Sequence, residues 1–486
     1  MWAGAAMVSG LLLRLWCVGH LALIIGDSLM YGDIAKNLLR HGVYGFSQGS
    51  TPPEAFGVSP TLIRLPGYPL FLAACFRLFG MEHYNAVLYM QAGVDLAACW
   101  LAGALAGRLF GGRAQLVVLW LATLCPFTAS YVATPMAETL VLASIALAFY
   151  SFARWQSAGR GYNRWLWVAS AALAYSILLR PEQIVFAAAV LAAMLWVSLA
   201  QSAFAVRPLR SASPILAAAL CVLLPLAPWT IRNWRTLHVF QPLAPKYAND
   251  PGELAPLGFS RWYRTWAIGF PSTENVYWNY SGERIDFRDI PDRAFDAGST
   301  SASQDLRNRT AALLADYNAT IGTGTDVSPA IDARFEALGE ERIRAHPALY
   351  YLGLPVARVL DMTLRPRTEM MDVPLDWWSW SKHRGQTAFA AAYAALNFAY
   401  IAIGVAGLYA WRRRAWLSPC PRDAGEHRFR ELAIAMAAGV GLRAALLLTI
   451  DNSEPRYTLE FFPVLFVWAG ALFAAGSQTT SARDGR

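Results

Sequence analysis

The sequence predicts an all-α protein that crosses a membrane several times. Of its 486 residues, 56% are hydrophobic and only 15% are charged, and the mean hydropathy is +0.32. A soluble domain of this size lacks the polar residues needed to cover so much apolar surface, whereas lipid removes that requirement. The 19 Trp, 20 Tyr and 24 Phe, many of them near the ends of apolar runs, match the aromatic belts of membrane interfaces.

Apolar runs of about 17–25 residues give the expected positions of the membrane spans. We predict spans at residues 6–26, 84–107, 114–132, 135–153, 165–180, 182–201, 213–231, 387–411, 431–450 and 457–476. Two further apolar segments are irregular, because 67–80 is short and 347–364 carries Arg358 and Asp361. We interpret the first as re-entrant or interfacial and the second as an interfacial helix.

The distribution of arginines predicts the orientation of the chain. With a cytoplasmic N-terminus, and with neither irregular segment spanning, the loop arginines follow the positive-inside rule. The predicted cytoplasmic arginines are Arg108, Arg113, Arg154, Arg160, Arg164, Arg207, Arg210, Arg412, Arg413, Arg414, Arg422, Arg428, Arg430, Arg483 and Arg486. This pattern predicts a multi-pass protein of the plasma membrane (the inner membrane of a bacterium) with both termini cytoplasmic. The net charge of +8 follows from this topology, so no nucleic acid partner is expected.

Two long segments then lie on the outer, periplasmic side of the membrane. We divide the chain into an N-terminal transmembrane module (1–234, with a first outer loop at 27–66), an outer-face segment (235–346) and a C-terminal part (347–486) that holds the interfacial helix and the last spans. We call residues 235–346 the lid segment, because we expect it to pack on the outer face. Its modest apolar content argues against independent folding.

Ionisable residues gather on the predicted outer side, where burial is costly and a functional site is the default interpretation. They are Asp27, Arg64, Glu138, Arg180, Glu182, Arg232, Arg235, Asp451, Glu454 and Arg456. Each also has an ordinary interpretation: Asp27 as a helix cap, Asp33 on the wet face of an interfacial helix, the arginines as snorkelling side chains. In mid-span, Asp95 and Arg443 are expected to form a structural pair.

One carboxylate among several arginines suits the transfer of a sugar from a lipid phosphate. Arginines match the geometry of phosphate and neutralise its charge, and a carboxylate can accept a proton from an attacking hydroxyl. Phosphate is a reasonable leaving group, so arginines could stabilise the departing charge without a metal. A lipid tail lying against the helices would explain why the enzyme is embedded in the membrane.

Short motifs follow one another along nearly the whole chain. They are D-x-x-x-Y-x-x-x-A at 27–35, R-x-P-x-Y-P at 64–69, LLRPE at 178–182, PWTIRNW at 228–234, IRAHP and YYLGLP within 343–355, and EPRY at 454–457. In this order they resemble the GT-C superfamily of polyprenyl-phosphate-sugar glycosyltransferases, of the family 39 and 83 type. That group includes protein O-mannosyltransferases and the aminoarabinose transferase of lipid A. The resemblance implies a GT-C fold with about 10–12 membrane helices.

The resemblance also implies roles for individual residues. Asp27 would be the catalytic base that deprotonates the acceptor while the sugar transfers with inversion. Arg64, Arg232 and Arg456 are expected to bind the donor phosphate, with Lys246 adding charge from the lid segment. The residues expected to line the substrate are Tyr31, Asp33, Tyr68, Glu138, Arg180, Glu182, Glu454 and Tyr457. Several relatives carry a second acidic residue where this chain has Ser28, so we expect metal-independent transfer and no cofactor.

Three alternatives stay open at this point. A transporter or lipid flippase is also polytopic, but it usually shows paired broken helices in corresponding halves, a symmetry that we do not find in this sequence. A GT-C fold without catalysis is disfavoured by Asp27. An oligosaccharide ligase using a lipid-pyrophosphate donor is compatible with the same arginines. The sequence identifies neither the sugar nor the envelope acceptor, whether lipid, glycan or protein.

Overall fold

The structure, a computed structural model, describes residues 1–48, 57–202, 208–280, 282–321, 328–417 and 430–474. The predicted cytoplasmic residues Arg207, Arg422, Arg428, Arg483 and Arg486 lie outside these ranges. The described chain is mainly helical and contains one small two-stranded sheet. This confirms the predicted all-α class.

The N-terminal module consists of helices α1 to α11 and two short strands. The helices are α1 Trp2–His20, α2 Asp27–His41, α3 Gly67–Phe79, α4 Tyr84–Phe110, α5 Gly112–Thr123, α6 Pro126–Ser130, α7 Glu138–Ser157, α8 Arg164–Leu179, α9 Ile184–Ser202, α10 Pro208–Leu223 and α11 Leu226–Leu237, with 3-10 turns at Tyr131–Ala133 and Pro181–Gln183. Strand β1 (Gly45–Ser47) pairs antiparallel with β2 (Val58–Pro60), and Gly45 lies opposite Pro60. The sequence analysis did not predict this sheet, which packs beside α2.

The remaining elements form the lid segment and the C-terminal part. The lid segment contains α12 Leu257–Arg264, α13 Phe270–Ser272, a π-helix at Thr273–Tyr277, 3-10 turns at Phe287–Asp289 and Asp292–Phe295, α14 Thr300–Thr320 and α15 Pro329–Ala345. The C-terminal part contains a π-helix at Leu349–Gly353, α16 Leu354–Leu364, α17 Arg384–Leu417, α18 Arg430–Leu447, a 3-10 helix at Pro455–Phe461, α19 Phe462–Gly470 and a last turn at Ala471–Phe473.

Each predicted span corresponds to helical structure. Within the described residues, six segments are long and apolar enough to cross a membrane: Trp2–His20, Tyr84–Phe110, Pro181–Ala200, Arg210–Leu237, Arg384–Arg413 and Pro455–Phe473. The predicted span 114–132 is a bent pair of helices and makes a seventh. The other three predicted spans correspond to α7, α8 and α18. Helix α8 has only 16 residues, α7 begins with Glu138, and α18 contains Arg443. The chain is therefore a multi-pass membrane protein.

The bend in span 114–132 has a local cause. Helix α5 ends at Thr123, and Pro126 opens α6 after a change of direction of 45°. Proline lacks a backbone N–H and its ring clashes with the preceding turn, so one straight helix cannot run through this position. The turn at Tyr131–Ala133 consequently packs against α1 and α4.

The two irregular segments are helices of different character. Helix α3, at 67–80, has 13 residues and is too short to cross a bilayer, and it packs on α2, α4 and α8. Helix α16, within 347–364, buries Leu354, Arg358 and Met362 while Val356 and Leu360 are exposed. That division between the two faces fits the predicted interfacial helix.

Asp95 pairs with Arg14 of α1, so the expected pair with Arg443 is wrong. Arg14 Nε lies 2.7 Å from Asp95 Oδ2, and Arg14 Nη1 donates to the carbonyls of Gly10 and Thr123, both at 2.8 Å. Arg14 is completely buried, which excludes a snorkelling side chain. This ion pair joins α1 to α4 within the membrane.

Replacing Arg14 by methionine should destabilise the protein by about 3 kcal/mol, because a buried carboxylate then lacks its partner. The pair Arg14→Met with Asp95→Asn should recover most of the loss, since no unpaired charge is left. Thermal unfolding of the purified protein in detergent measures both. Equal instability of the single and double variants would show that packing around Arg14, rather than its charge, matters.

The lid segment has an aromatic core of its own. Phe259 and Trp262 of α12 pack on Phe335 of α15, and Tyr280 stacks between Phe259 and Tyr317 at centroid distances of 3.7 and 5.2 Å. Aromatic side chains bury large areas, so a few of them hold a small segment together. The lid segment therefore has a more extensive aromatic core than its modest apolar content indicated.

Candidate active site

A cavity of about 380 Å³ lies where α2 begins and where residues 451–457 connect α18 to the last span. Nine of the residues predicted from sequence line it: Asp27, Tyr31, Arg64, Glu138, Arg180, Glu182, Lys246, Arg456 and Tyr457. Their sequence positions run from 27 to 457, and helix packing brings them together. We call this space the main cavity.

Asp27 reaches the main cavity because the chain turns sharply just before it. Helix α1 ends at His20, and Gly26 adopts a positive φ of 52°, a conformation that favours glycine. Helix α2 then begins at Asp27, which places the carboxylate at the helix N-terminus, where negative charge is favourable. The Asp27 side chain keeps 24% of its surface exposed, so its oxygens are accessible to a ligand.

Two arginines hold the two oxygens of Asp27. Arg64 Nη2 lies 2.7 Å from Oδ1, and Arg456 Nη2 lies 3.1 Å from Oδ2. Burial by itself raises the pKa of Asp27, but the charges of Arg456 and Arg64 outweigh it and hold that pKa well below its usual range. Asp27 is therefore ionised at any physiological pH. It is a weak base as long as both arginines stay bound to it.

Tyr31 lies one helical turn after Asp27 and supports this arrangement. The Arg64 guanidinium carbon is 5.9 Å from the centre of the Tyr31 ring. Burial raises the pKa of Tyr31 to about 12, so the hydroxyl stays protonated and can donate a hydrogen bond. Tyr68 packs edge-on against Tyr31 at 5.0 Å and donates to Gln91 Oε1 at 2.6 Å. Tyr68 thus fixes the wall behind Tyr31 instead of lining the main cavity.

Arg456 contacts two carboxylates besides Asp27. Its Nε lies 2.5 Å from Glu454 Oε2 and its Nη1 lies 3.6 Å from Glu138 Oε1. Glu454 is buried behind Arg456 and outside the main cavity lining. The guanidinium of Arg456 consequently joins the start of α2, the start of α7 and the turn before the last span.

Arg180 lies beside Arg456, on a wall with three glutamates. Its Nε is 2.9 Å from Glu182 Oε1, and its Nη1 is 3.2 Å from Glu138 Oε1 and 3.8 Å from Glu460 Oε1. Its guanidinium also lies 5.3 Å from the centre of the Tyr457 ring. This wall fixes α7, α8 and the last span relative to one another.

Arg443 and Glu460 belong to this wall, although the sequence analysis did not assign them to the site. Arg443 Nε lies 2.8 Å from Glu460 Oε2, and its Nη2 lies 3.5 Å from Glu182 Oε1. Both side chains are buried. The available signal was a charged residue inside an apolar segment, which at membrane depth indicates a functional or paired group.

The lid segment closes one side of the main cavity. Lys246 Nζ lies 3.5 Å from Asp451 Oδ1, and Thr273 Oγ1 donates to the carbonyl of Ser453 at 3.0 Å. Ala244, Pro245 and Tyr277 line the same side, as do Ala248 and Asn452. The predicted fold-back of the chain after Arg235 therefore brings Lys246 to the site.

Two predicted residues lie away from the main cavity. Arg232 donates to the carbonyl of Thr61 at 2.7 Å and to that of Tyr44, so it holds the first outer loop. Asp33 accepts hydrogen bonds from the backbone N–H and the hydroxyl of Ser47, at 2.7 and 2.8 Å, and so holds β1. In the structure these two side chains serve the loop that carries Arg64.

Among the described residues, no three His, Cys, Asp or Glu side chains gather closely enough to hold a metal ion. The carboxylates that line the main cavity are engaged by guanidinium or ammonium groups instead. A divalent cation would compete with those charges for the same oxygens. Metal-independent transfer stays a prediction of the sequence.

Comparison with known proteins supports the family resemblance. Residues 60–231 match the family model described as dolichyl-phosphate-mannose-protein mannosyltransferase. This segment includes the motifs at 64–69 and 178–182, and the match confirms the predicted resemblance to the GT-C glycosyltransferases. A search of curated proteins gave no significant match.

Solved structures of two membrane transferases are similar to the chain. The oligosaccharyltransferase of Archaeoglobus fulgidus in its apo form aligns over 97% of this chain and 50% of its own, with 12% identity and a TM-score of 0.46. ArnT from Cupriavidus metallidurans bound to undecaprenyl phosphate aligns over 92% of this chain and 77% of its own, with 13% identity and a TM-score of 0.36. The chain thus spans about half the length of the oligosaccharyltransferase.

Proposed function

We propose that the protein is an inverting glycosyltransferase that moves a sugar from a polyprenyl-phosphate donor to an acceptor of the cell envelope. The proposal places it in the bacterial inner membrane, with cytoplasmic termini and the main cavity facing the periplasm. The observation that carries it is Asp27, a cavity carboxylate held between the guanidinium groups of Arg64 and Arg456. The family match over 60–231 supports the same conclusion.

The chemistry follows from this arrangement. The donor phosphate would bind Arg64 and Arg456, because guanidinium groups bind phosphate through paired hydrogen bonds. Asp27 would accept the proton of an acceptor hydroxyl, whose oxygen forms a bond to the anomeric carbon as the bond from that carbon to the phosphate oxygen breaks. The arginines then stabilise the charge on the departing lipid phosphate. Attack opposite the leaving group inverts the anomeric configuration.

The charge balance of the main cavity supports a donor with one phosphate. Its ionisable groups and their direct partners are the cations Arg64, Arg180, Lys246, Arg264, Arg443 and Arg456 and the carboxylates Asp27, Glu138, Glu182, Asp451, Glu454 and Glu460. The two signs are equal in number. A sugar phosphodiester adds one negative charge to this neutral group and a lipid pyrophosphate adds at least two, so the monophosphate leaves less charge uncompensated.

A cell-free transfer assay tests the proposal. The purified protein would be given radiolabelled polyprenyl-phosphate sugars and a total envelope extract. We expect label to enter an acceptor, and its identity names the sugar and the acceptor. Failure with every monophosphate donor, together with transfer from a pyrophosphate-linked oligosaccharide, would overturn the donor assignment. Failure with both donors in a folded protein would favour a transporter.

The pH profile gives a second prediction. A bound donor competes with Asp27 for Arg64 and Arg456, and a carboxylate that loses cationic neighbours gains a higher pKa. Since kcat/KM reports the free enzyme and kcat the donor complex, kcat/KM should show no acid limb from Asp27 between about pH 4 and pH 8, whereas kcat should fall at the acid end of that range. Both are measured by steady-state transfer. A kcat that is also flat at acid pH would show that both arginines stay on Asp27 when the donor binds.

A further inference from the structure

A second cavity lies between the lid segment and the π-helix at Leu349–Gly353 that precedes α16. It has a volume of about 470 Å³ and is lined by Arg261, Arg264, Glu340, Ile343, Arg344, Tyr350 and Tyr351. Helices α12 and α15 supply the charged residues, and the π-helix at Leu349–Gly353 supplies the tyrosines. We call it the lid cleft. The proposed transfer does not use its residues.

Two of the three arginines in the lid cleft have carboxylate partners. Arg261 Nη1 lies 2.6 Å from Glu336 Oε1 and 3.1 Å from Glu340 Oε1. Arg344 Nη2 lies 2.8 Å from Glu340 Oε2. These pairs balance each other, and their side chains stay accessible to solvent.

The third arginine, Arg264, also has a carboxylate partner, and the excess of positive charge beside the lid cleft comes from its neighbour Arg358. The carboxylate partner of Arg264 is Asp451, at 3.6 Å from Nη1 to Oδ1, and Lys246 approaches the same oxygen. Next to it Arg358 is fully buried and donates from Nη1 to the carbonyls of Arg264 and Ala267, at 3.2 and 3.0 Å. Within the described chain, Arg358 has no carboxylate partner, and its Nε and Nη2 lack hydrogen bonds.

This excess charge favours an anion in the lid cleft. A buried guanidinium without a counter-ion is costly, so a nearby anion stabilises it. Burial and the neighbouring charge of Arg264 lower the pKa of Arg358 to about 10, which reflects the same deficit of negative charge. Arg264, which lines the lid cleft, contributes to this lower pKa, and the negative charge of Asp451 opposes it only in part.

The rim of the lid cleft is apolar. Leu349, Tyr351 and Leu352 are exposed, and Val356 and Leu360 continue that exposed face along α16. An amphipathic helix with leucines on one face and a buried opposite face lies at a membrane surface. A ligand in the lid cleft would therefore have its charge beside arginines and an apolar portion beside leucines.

We infer that the lid cleft binds the anionic headgroup of a membrane lipid, and that such a lipid is the acceptor class of the transfer. The acceptor role of the lipid rests on the proposed function, whereas the binding site does not. Arg264 lines the lid cleft and contacts Asp451, which lines the main cavity. A headgroup held there would bring neighbouring hydroxyls to the side of the main cavity that Lys246 and Asp451 form.

Binding to the full-length protein in phosphatidylcholine nanodiscs tests this inference. The probes are dihexanoyl phosphatidic acid, dihexanoyl phosphatidylcholine and inorganic phosphate, compared by titration calorimetry. We expect phosphatidic acid to bind tightest. The double variant Arg261→Gln with Arg344→Gln should weaken it about 10-fold, since guanidinium–phosphate bonds are charge-assisted. The matched control is Arg309→Gln with Arg334→Gln, two exposed lid arginines outside the cleft, which should bind like wild type.

Unchanged affinity in the cleft variant, or equal loss in the control, would overturn the site. Equal binding of inorganic phosphate would overturn the lipid assignment. Farnesyl phosphate, a donor-like probe, should bind both proteins equally. If the cleft variant binds farnesyl phosphate as weakly as it binds phosphatidic acid, the lid cleft would be assigned to the donor instead. In the transfer assay the cleft variant should need more extract to reach its half-maximal rate, with an unchanged maximal rate. If the protein binds the lipid normally but transfers no sugar, the lid cleft remains a lipid-binding site and its acceptor role is overturned.

Discussion

Asp27→Asn is expected to lower transfer by about 10²- to 10⁴-fold, the usual contribution of a positioned general base. Asparagine keeps the shape of the side chain but cannot accept the proton. Its amide group also cannot face two guanidinium groups, so Arg64 or Arg456 loses its partner. The affinity for the donor phosphate should therefore be retained or increased. Steady-state transfer and equilibrium binding of a polyprenyl phosphate measure the two effects separately.

The matched control is Asp33→Asn on the same helix. Asp33 holds Ser47 of β1 and does not line the main cavity, so this variant should transfer at nearly the wild-type rate. Near-normal turnover of Asp27→Asn would remove Asp27 as the base. Equal loss in both variants would show that the integrity of the first outer loop, and not proton transfer, limits the reaction.

The outline of the fold was predictable because its signals are local. A run of apolar residues identifies a span wherever it lies in the chain, and arginine placement sets the loops. The bend at Pro126 is also a local signal, since a proline within an apolar run ends or kinks the helix that precedes it. Hydropathy alone places a span at 114–132 and does not indicate the bend.

Pairings across the chain were not predictable in the same way. Asp95 lies in an apolar helix whose sequence does not show which neighbour it faces, and the packing of α1 on α4 decided for Arg14 over Arg443. The small sheet formed by 45–47 and 58–60 is likewise a contact between segments that are not adjacent in sequence. Each strand has three residues, too few to show an alternating pattern.

The candidate site shows the same division. Arg64 and Arg456 both line the main cavity, and each stands in a motif whose order along the chain is distinctive. Arg232 stands in a motif too, yet its guanidinium holds the carbonyls of Tyr44 and Thr61, a role that no local pattern reveals. Whether a motif arginine faces the ligand or the protein depends on contacts more than 170 positions apart.

Arg456→Gln should have the second large effect, a loss of about 10³-fold in transfer, as expected when a main electrostatic stabiliser of the transition state is removed. It should also lower thermal stability, because Asp27, Glu138 and Glu454 all lose a cationic neighbour. Carboxylates left close together without a counter-ion repel one another. Loss of transfer in this variant alone would therefore not separate donor binding from folding.

Arg456→Lys makes that separation. Lysine restores the positive charge among the three carboxylates but not the planar fork that binds two phosphate oxygens at once. We expect thermal unfolding close to wild type, with the KM for the donor raised about 10-fold or more and transfer still strongly reduced. Full recovery of transfer would mean that a point charge suffices and that Arg64 alone supplies the paired contacts. If the lysine variant is as unstable as the glutamine variant, the main role of Arg456 would be a structural ion pair with Glu454. At 2.5 Å, that is the shortest contact of the Arg456 guanidinium with a carboxylate.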